Sequence, residues 1–340
     1  METLIATYRI VTPMFIGDGN QQATSIRPPS VKGALRFWWR ALNWGKIRTQ
    51  WSCDELALQA LHQEEARLFG SAADEKNSRS GQGVFLLRII KQANTRELER
   101  KWPSHPEKGN QFPGSTFLGF GLFESGKNED LKEHREGIKE NNEFKLQLDF
   151  KPSTPANDIE SIEQALHTLG LIGGLGSRAR RGFGSLILTE LQHNTSELQR
   201  FSYTQQEYQQ KIGELLAQYQ QIRDYPPYTA LSNQSQFKLL CTDKDARRAH
   251  NNMGNQYKNH RSTFDSNKPV KCAFGLPLSK YDENNRRASP LFFHVHELRN
   301  GEFIGLALFL PAHFHHQKPE YKNTQQFLEP VAQFFVEKNT

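Results

Sequence analysis

From Leu4 to Thr12 apolar and polar residues alternate, the period-two signature of a strand, and the loop Gly17-Asp18-Gly19-Asn20 follows. Pro28-Pro29-Ser30 then predicts a helix start with Ser30 as its N-cap. On that helix Val31, Leu35, Trp38 and Leu42 share an apolar face, while Lys32, Arg36 and Arg40 share another. Leu56 to Phe69 predicts a second amphipathic helix, Ala72 to Gly83 a polar loop and Val84 to Ile90 a strand. Pro103 to Gly114 reads as loop, Thr116 to Phe123 as strand, and Glu124 to Glu143 as a solvated mixed-charge excursion. Phe144 to Phe150 alternates again. Asn157 followed by Glu160 marks another helix start, and Ile162, Leu166, Leu169 and Ile172 recur at helical spacing before Phe183 to Leu191 returns to alternation.

A glutamine-rich region follows from Gln192 to Asp224, in which Tyr208, Ile212, Leu215, Tyr219 and Ile222 step by helical intervals. The run is too short for an independent coiled coil and is expected to lie on a domain or a partner. After Pro226-Pro227, Phe237 to Cys241, Lys271 to Leu278, Pro290 to Leu298 and Phe303 to Leu310 are strand candidates, and Gln325 to Glu337 closes with a helix. Between them Asp243 to Arg261 is polar and basic, with Arg247, Arg248, Lys258 and Arg261. In the first half the order strand, helix, strands, helix, strand is that of a ferredoxin-like or RRM-like unit. The expected fold is therefore α+β: two tandem ferredoxin-like (RRM-like) domains with long loop and helical insertions. Residues 1–191 form the N-terminal domain with a glycine-rich loop, 192–227 a helical linker and 228–340 the C-terminal domain.

Composition narrows the class. A chain of 340 residues exceeds one ordinary core, which agrees with two domains. Hydrophobic residues make up 36% and the mean hydropathy is −0.71, low values that folded domains with polar loops still accommodate. The 23 phenylalanines argue against wholesale disorder. Cys53, Cys241 and Cys272 stand far apart, so neither a disulfide framework nor a zinc knuckle is suggested, and a reducing cytoplasm fits best. The start Met1-Glu2-Thr3-Leu4 has no basic or apolar leader, and no run of about eighteen apolar residues occurs, so neither secretion nor membrane insertion is expected.

Net charge is +6, and its position says more than its size. Arg27, Lys32, Arg36, Arg40, Lys46 and Arg48 fall in a stretch with no Asp or Glu, so that segment holds the whole excess. A second focus is Gly173-Gly174-Leu175-Gly176-Ser177-Arg178-Ala179-Arg180-Arg181-Gly182-Phe183-Gly184. Glycine admits positive φ and close approach of backbone N–H groups, and arginine offers a planar fork of donors that fits phosphate. Gly174-x-Gly176-x-x-Ala179 fits a degenerate dinucleotide fingerprint, but that motif needs a strand before it and a helix after it, the reverse of the order here. No Lys-Ser or Lys-Thr pair follows, which excludes a P-loop. An anion-binding loop and a plain glycine-rich turn with solvated arginines both remain open. Arg286 and Arg287, before Ser289-Pro290, read equally as a further contact, as interface residues or as loop charges. His294 and His296 alternate onto one strand face, and His313, His315 and His316 cluster after Pro311; neither group has a carboxylate or cysteine companion in sequence.

Ile26-Arg27-Pro28-Pro29-Ser30-Val31-Lys32-Gly33-Ala34-Leu35-Arg36-Phe37-Trp38-Trp39-Arg40, the Leu68-Phe69-Gly70 turn, the Gly173 to Gly184 loop and Arg286-Arg287-Ala288-Ser289-Pro290 resemble the RAMP superfamily of CRISPR systems. More narrowly, they resemble the first-numbered RAMP subunit of the type III-B Cmr effector complex. Asp18 departs from that pattern, standing where related chains often have another glycine. The resemblance implies paired ferredoxin-like modules inside a ribonucleoprotein. It also implies a cytoplasmic subunit near the guide RNA 3′ end that helps capture target RNA in antiviral defence and leaves cleavage to other subunits. Its partners would be guide RNA, single-stranded target RNA and other Cmr subunits, with no cofactor, metal or catalytic residue. The residues expected to bind RNA are Arg27, Ser30, Lys32, Arg36, Trp39, Arg40, Gly174, Gly176, Arg178, Arg180, Arg181, Arg286 and Arg287. Trp39 reads equally as a base-stacking or a packing residue. The rivals are a metal-independent RAMP endoribonuclease using the histidines, and a protein-only scaffold.

Overall fold

The structure is a computed structural model that describes residues 2–17, 22–71, 81–104, 109–122, 135–194, 196–221, 224–264, 268–278, 282–314 and 323–336. Asp18, Ile222, His315 and His316, most of the loop after Ala72 and much of the excursion after Glu124 lie outside those residues. In chain order come β1 (Thr3–Ile10), α1 (Pro28–Arg48), α2 (Asp54–Phe69), β2 (Phe85–Lys91), β3 (Leu98–Glu99) and α3 (Pro113–Leu118). Next are β4 (Gly137–Ile138), β5 (Glu143–Phe150), α4 (Ala156–Ile172), β6 (Leu186–His193), β7 (Gln199–Arg200) and α5 (Gln205–Ala217). The remainder is β8 (Gln236–Asp243), α6 (Ala246–Ser262), α7 (Lys268–Lys271), β9 (Leu276–Leu278), β10 (Asp282–Arg287), β11 (Leu291–Glu297), β12 (Phe303–Phe309) and α8 (Thr324–Ala332). The mixed α/β composition with antiparallel sheets agrees with the α+β expectation.

The chain divides into two units that interleave in sequence. The first comprises Met1–Arg100, Arg135–Ser177 and Gly184–Ser202; the second comprises Lys101–His134, Arg178–Phe183 and Tyr203–Thr340. In the first, the sheet order is β2-β5-β1-β6-β7, with every neighbouring pair antiparallel. Strand β5 shows why alternation was legible: Phe144, Leu146, Leu148 and Phe150 are buried, and the residues between them are half-exposed. Tyr8 of β1 stacks on Phe144 with centroids 5.6 Å apart and donates its hydroxyl to the Leu166 carbonyl of α4 at 2.7 Å. That bond satisfies the one polar atom of a fully buried ring.

Helix α4 starts earlier than its sequence signal. Pro155 occupies the N-cap position and makes no side-chain cap, so Asn157 lies inside the first turn.

In the second unit β11, β12 and β8 form an antiparallel sheet in that order, and β9 pairs with β10. The described residues show three strands in this main sheet, against four in the first unit before the short β7. The stretch Asp243 to Arg261, read only as polar and basic, is mostly helix α6, capped where Asp245 accepts the Arg248 N–H at 2.9 Å. Its buried face is narrow, namely Ala246, Ala249, His250, Met253, Gly254 and Tyr257.

Thr116 to Leu122 does not form the expected strand, Phe123 lying outside the described residues: Thr116 to Leu118 close helix α3, which starts at Pro113. Proline at the first helical position favours a start there, and Gly119 ends the helix within two turns, too short for its period to show. The helix lies against α6, where a Cβ on Gly114 would collide with the Asn251 carbonyl and one on Gly254 with the Gly114 carbonyl. Among the described residues no helix is long and apolar enough to cross a membrane.

Candidate nucleic-acid interface

The basic helix α1 begins at Pro28, with Arg27 as N-cap, so Ser30 is not the cap but sits within the first turn. Two prolines supply no N–H, and the next two amides, of Ser30 and Val31, both donate to the Arg27 carbonyl, at 3.0 and 3.3 Å. The helix start therefore lacks the fan of open amides that an anion needs, and the Ser30 amide is already engaged. Arg27 itself is exposed and reaches the Gly17 carbonyl at 3.0 Å.

Arg36 and Arg40 do not line a track of open cations. Both grip Glu65 of α2, which is only 6% exposed: Arg36 Nε lies 3.1 Å from Oε1, and Arg40 Nη1 lies 2.8 and 3.1 Å from the two carboxylate oxygens. Arg36 Nη2 also donates to the Gly70 carbonyl. The triad binds α1 to α2 and keeps one net positive charge, with both arginine side chains about a third exposed, at 33% and 37%.

Trp39 is 3% exposed, packs edge-on against Phe69 at 6.0 Å and donates Nε1–H to Ser161 Oγ at 2.5 Å. It is a core residue and presents no face for a base. Lys32 lies over the Phe85 ring at 5.3 Å, and burial, helped by Arg36, lowers its pKa from the usual ammonium value.

Gly174, Gly176 and Gly184 of the loop serve the fold of the first unit. Gly176 has φ +94°, and a Cβ there would sit 2.8 Å from the Phe15 carbonyl oxygen, which also accepts the Ser177 N–H at 2.7 Å. Gly174 bridges Ser185, Leu175 N–H donates to the Gly184 carbonyl at 2.9 Å, and Gly184 N–H donates to that of Pro13 at 3.0 Å.

The arginine part, Arg178–Phe183, belongs to the second unit. Arg180 donates to the Ser289 carbonyl at 3.1 Å and to Thr229 Oγ1 at 3.3 Å, and its guanidinium lies 4.5 Å from the Phe292 centroid. Burial, with Arg181 next to it, pulls its pKa down to about 10. Arg181 pairs in parallel with Phe293 through the backbone and sets its guanidinium 5.0 Å from the Tyr257 centroid. Its buried Nη1 finds no hydrogen-bond acceptor among the described residues. Arg178, at φ +62°, is exposed. Arg180 and Arg181 anchor the turn by these contacts, and Arg178 is the exposed one of the three.

A support that sequence reading missed is His250, fully buried beneath this turn. Its Nε2 lies 2.8 Å from the Arg181 carbonyl, which can only accept, so Nε2 carries the proton and Nδ1 accepts the Ser115 hydroxyl at 2.9 Å. The ring contacts Phe183 at 4.5 Å and Trp102 at 5.1 Å, and burial pulls its pKa down to about 4. Local pattern held no signal for this, because the partners lie far apart in the chain.

Elsewhere in the second unit Arg287 donates to the Ala273 carbonyl at 2.8 Å and lies between Phe314 and Phe327, at 5.2 and 5.1 Å, while Arg286 is exposed. His294 and His296 do share a face, but it is buried: they contact each other at 3.3 Å, and His296 stacks on Tyr208 of α5 at 4.1 Å. Burial, then the neighbouring His294, lowers the His296 pKa. His313 Nδ1 lies 2.6 Å from Thr324 Oγ1. Among the described residues no cluster of three His, Cys, Asp or Glu side chains could hold a metal.

Comparison with known proteins agrees with the resemblance read from the motifs. The profile of the RAMP superfamily matches residues 7–187. The chain is 25% identical over 305 residues to the CRISPR system Cmr subunit Cmr1-1 of Pyrococcus furiosus, covering 85% of this chain and 82% of that one. It is 26% identical over 185 residues to Cmr1-2 of the same organism, covering 52% and 89%. The apo crystal structure of Cmr1 from Pyrococcus furiosus superposes with a TM-score of 0.58 at 21% identity over 97% of each chain. A chain in the cryo-EM structure of the type III-B Cmr-beta complex bound to cognate target RNA superposes at 0.55 and 13% identity, covering 98% and 100%. The profile spans more than half of the sequence and includes both the arginine-tryptophan helix and the glycine-rich loop, so this chain belongs to the RAMP superfamily, with Cmr1 subunits as its curated relatives.

Proposed function

We propose that this chain is a non-catalytic RNA-binding subunit of a type III-B Cmr ribonucleoprotein, built on two ferredoxin-like modules and placed near the guide RNA 3′ end, where it helps capture target RNA. The observation that carries the reading is the arginine turn of the second unit. Arg180 and Arg181 are held against Phe292 and Tyr257, and Arg178 is held out to solvent at a left-handed backbone position. An exposed cation whose backbone belongs to a turn pinned by two packed arginines loses less freedom on binding a phosphate than one on an unanchored loop.

Arg286 adds a further exposed cation in that unit, while Arg27, Lys46 and the singly positive Arg36–Glu65–Arg40 cluster supply charge in the first. Phosphate contacts of this kind set position and affinity without reading sequence. Burial of His294 and His296 favours binding over acid–base cleavage, because a general acid or base has to reach its substrate.

The test is titration of the full chain with single-stranded RNA across a salt series. The logarithm of affinity should fall linearly with the logarithm of salt, by roughly 0.7 per neutralised phosphate. A flat dependence would overturn RNA binding. Labelled RNA should stay intact with or without divalent ions, and specific cleavage lost in a histidine variant would overturn the non-catalytic assignment.

A further inference from the structure

Phe120 is 71% exposed, the most exposed large apolar side chain among the described residues. One surface phenylalanine is ordinary on its own. This one sits in a turn built to hold it out. Leu118 before it and Leu122 after it are buried, the Gly119 N–H donates to the Ser115 carbonyl at 2.8 Å, and the Leu122 N–H donates to the Gly119 carbonyl at 2.9 Å. Both flanking glycines are needed: a Cβ on Gly119 would lie 2.8 Å from the Phe183 ring, and Gly121 has φ +91°. A Cβ on Gly121 would also lie 3.0 Å from Arg178 Nη2, so the presented guanidinium runs alongside the residue next to Phe120. Arg178 is itself fixed, its carbonyl accepting the Arg181 N–H at 2.7 Å.

We propose that Phe120 and Arg178 form a one-nucleotide site for single-stranded RNA, with the phenyl ring stacking on a base and the guanidinium holding the adjoining phosphate. The inference rests on the RNA-binding reading above and names the residues that would carry it in the second unit. An exposed ring, followed directly by a glycine that an exposed guanidinium borders, suits a nucleotide, which brings a flat base and a charge together. A protein seated on Phe120 would also cover the neighbouring guanidinium and would need an acid there to offset its lost hydration.

The experiment uses the full chain with a single-stranded RNA of about twelve nucleotides, a length within the range such sites span, and the same backbone with its bases removed. Binding is read by fluorescence anisotropy across salt for the wild type, F120A, F120W and R178A, with thermal melting as a check on folding. Expected are a roughly tenfold loss for F120A with an unchanged salt slope, retention by F120W, and a slope shallower by about 0.7 for R178A. The baseless strand should bind the wild type and F120A alike. Wild-type binding of RNA that F120A leaves unchanged overturns this site while leaving the broader reading intact. Equal wild-type affinity for base-bearing and baseless strands does the same. F120A that keeps RNA affinity but loses association with another Cmr subunit overturns it in favour of a protein contact. A wild type that binds no RNA overturns both readings.

Discussion

Glu65 stands between two guanidinium groups at 6% exposure, and the consequence for α1 is specific. Removing the carboxylate leaves Arg36 and Arg40 facing each other with no counter-charge, and removing one arginine leaves Glu65 with the other. Because the arginine side chains are about a third exposed, at 33% and 37%, water moderates the loss. E65A is therefore expected to destabilise by about 2 kcal/mol in chemical denaturation. E65Q should cost less, because it keeps a carbonyl acceptor. An E65A variant as stable as the wild type would show that the cluster does not hold α1 to α2. The sequence contained half of this arrangement. Lys32, Arg36 and Arg40 were legible as one helix face, but the acid they face lies on another helix, outside any local pattern. Trp39 was ambiguous for the same reason, since its hydrogen-bond partner Ser161 belongs to α4.

At the scale of elements, Gly33 and Gly254, each inside a helix, look alike in sequence and differ in their surroundings. Gly254 of α6 is where α3 crosses, and a methyl there meets the Gly114 carbonyl, a backbone atom that cannot rotate away. Gly33 of α1 has open space, with nothing within 4 Å of a Cβ, and no positive φ. G254A is thus expected to lose about 1–3 kcal/mol through overpacking, and G33A to gain up to about 1 kcal/mol through helix propensity. Paired thermal melts check both signs, and a neutral G254A would mean that α3 can back away from α6.

Element reading from sequence succeeded where apolar spacing spans several turns or a full strand, as in α1, α4, β5 and β12. It failed for α3, which ends before its period repeats, and for α6, whose buried positions are mostly small, polar or glycine. It was half right for β11, because alternation shows that His294 and His296 share a face but not that α5 covers it.

For the whole molecule, the buried histidines link stability to pH in a direction that can be derived. His250 titrates near its ordinary value of 6.5 when unfolded and at about 4 when folded, because burial disfavours the imidazolium. A proton therefore binds the unfolded chain more readily than the folded one between those limits, and stability falls as pH drops through that window. His296 is shifted in the same direction by burial and His294, so its contribution has the same sign. The stabilisation is fully present above pH 6.5 and decreases toward pH 4, with His250 alone accounting for on the order of 3 kcal/mol. Thermal midpoints measured from pH 7.5 down to 4 should fall, and H250Q should flatten the curve while lowering its upper end. Glutamine can still donate to the Arg181 carbonyl but cannot take up the proton. A wild-type midpoint that does not move over this range would mean that the ring is reached by water, and that the arginine turn is held less tightly than its contacts with His250 imply.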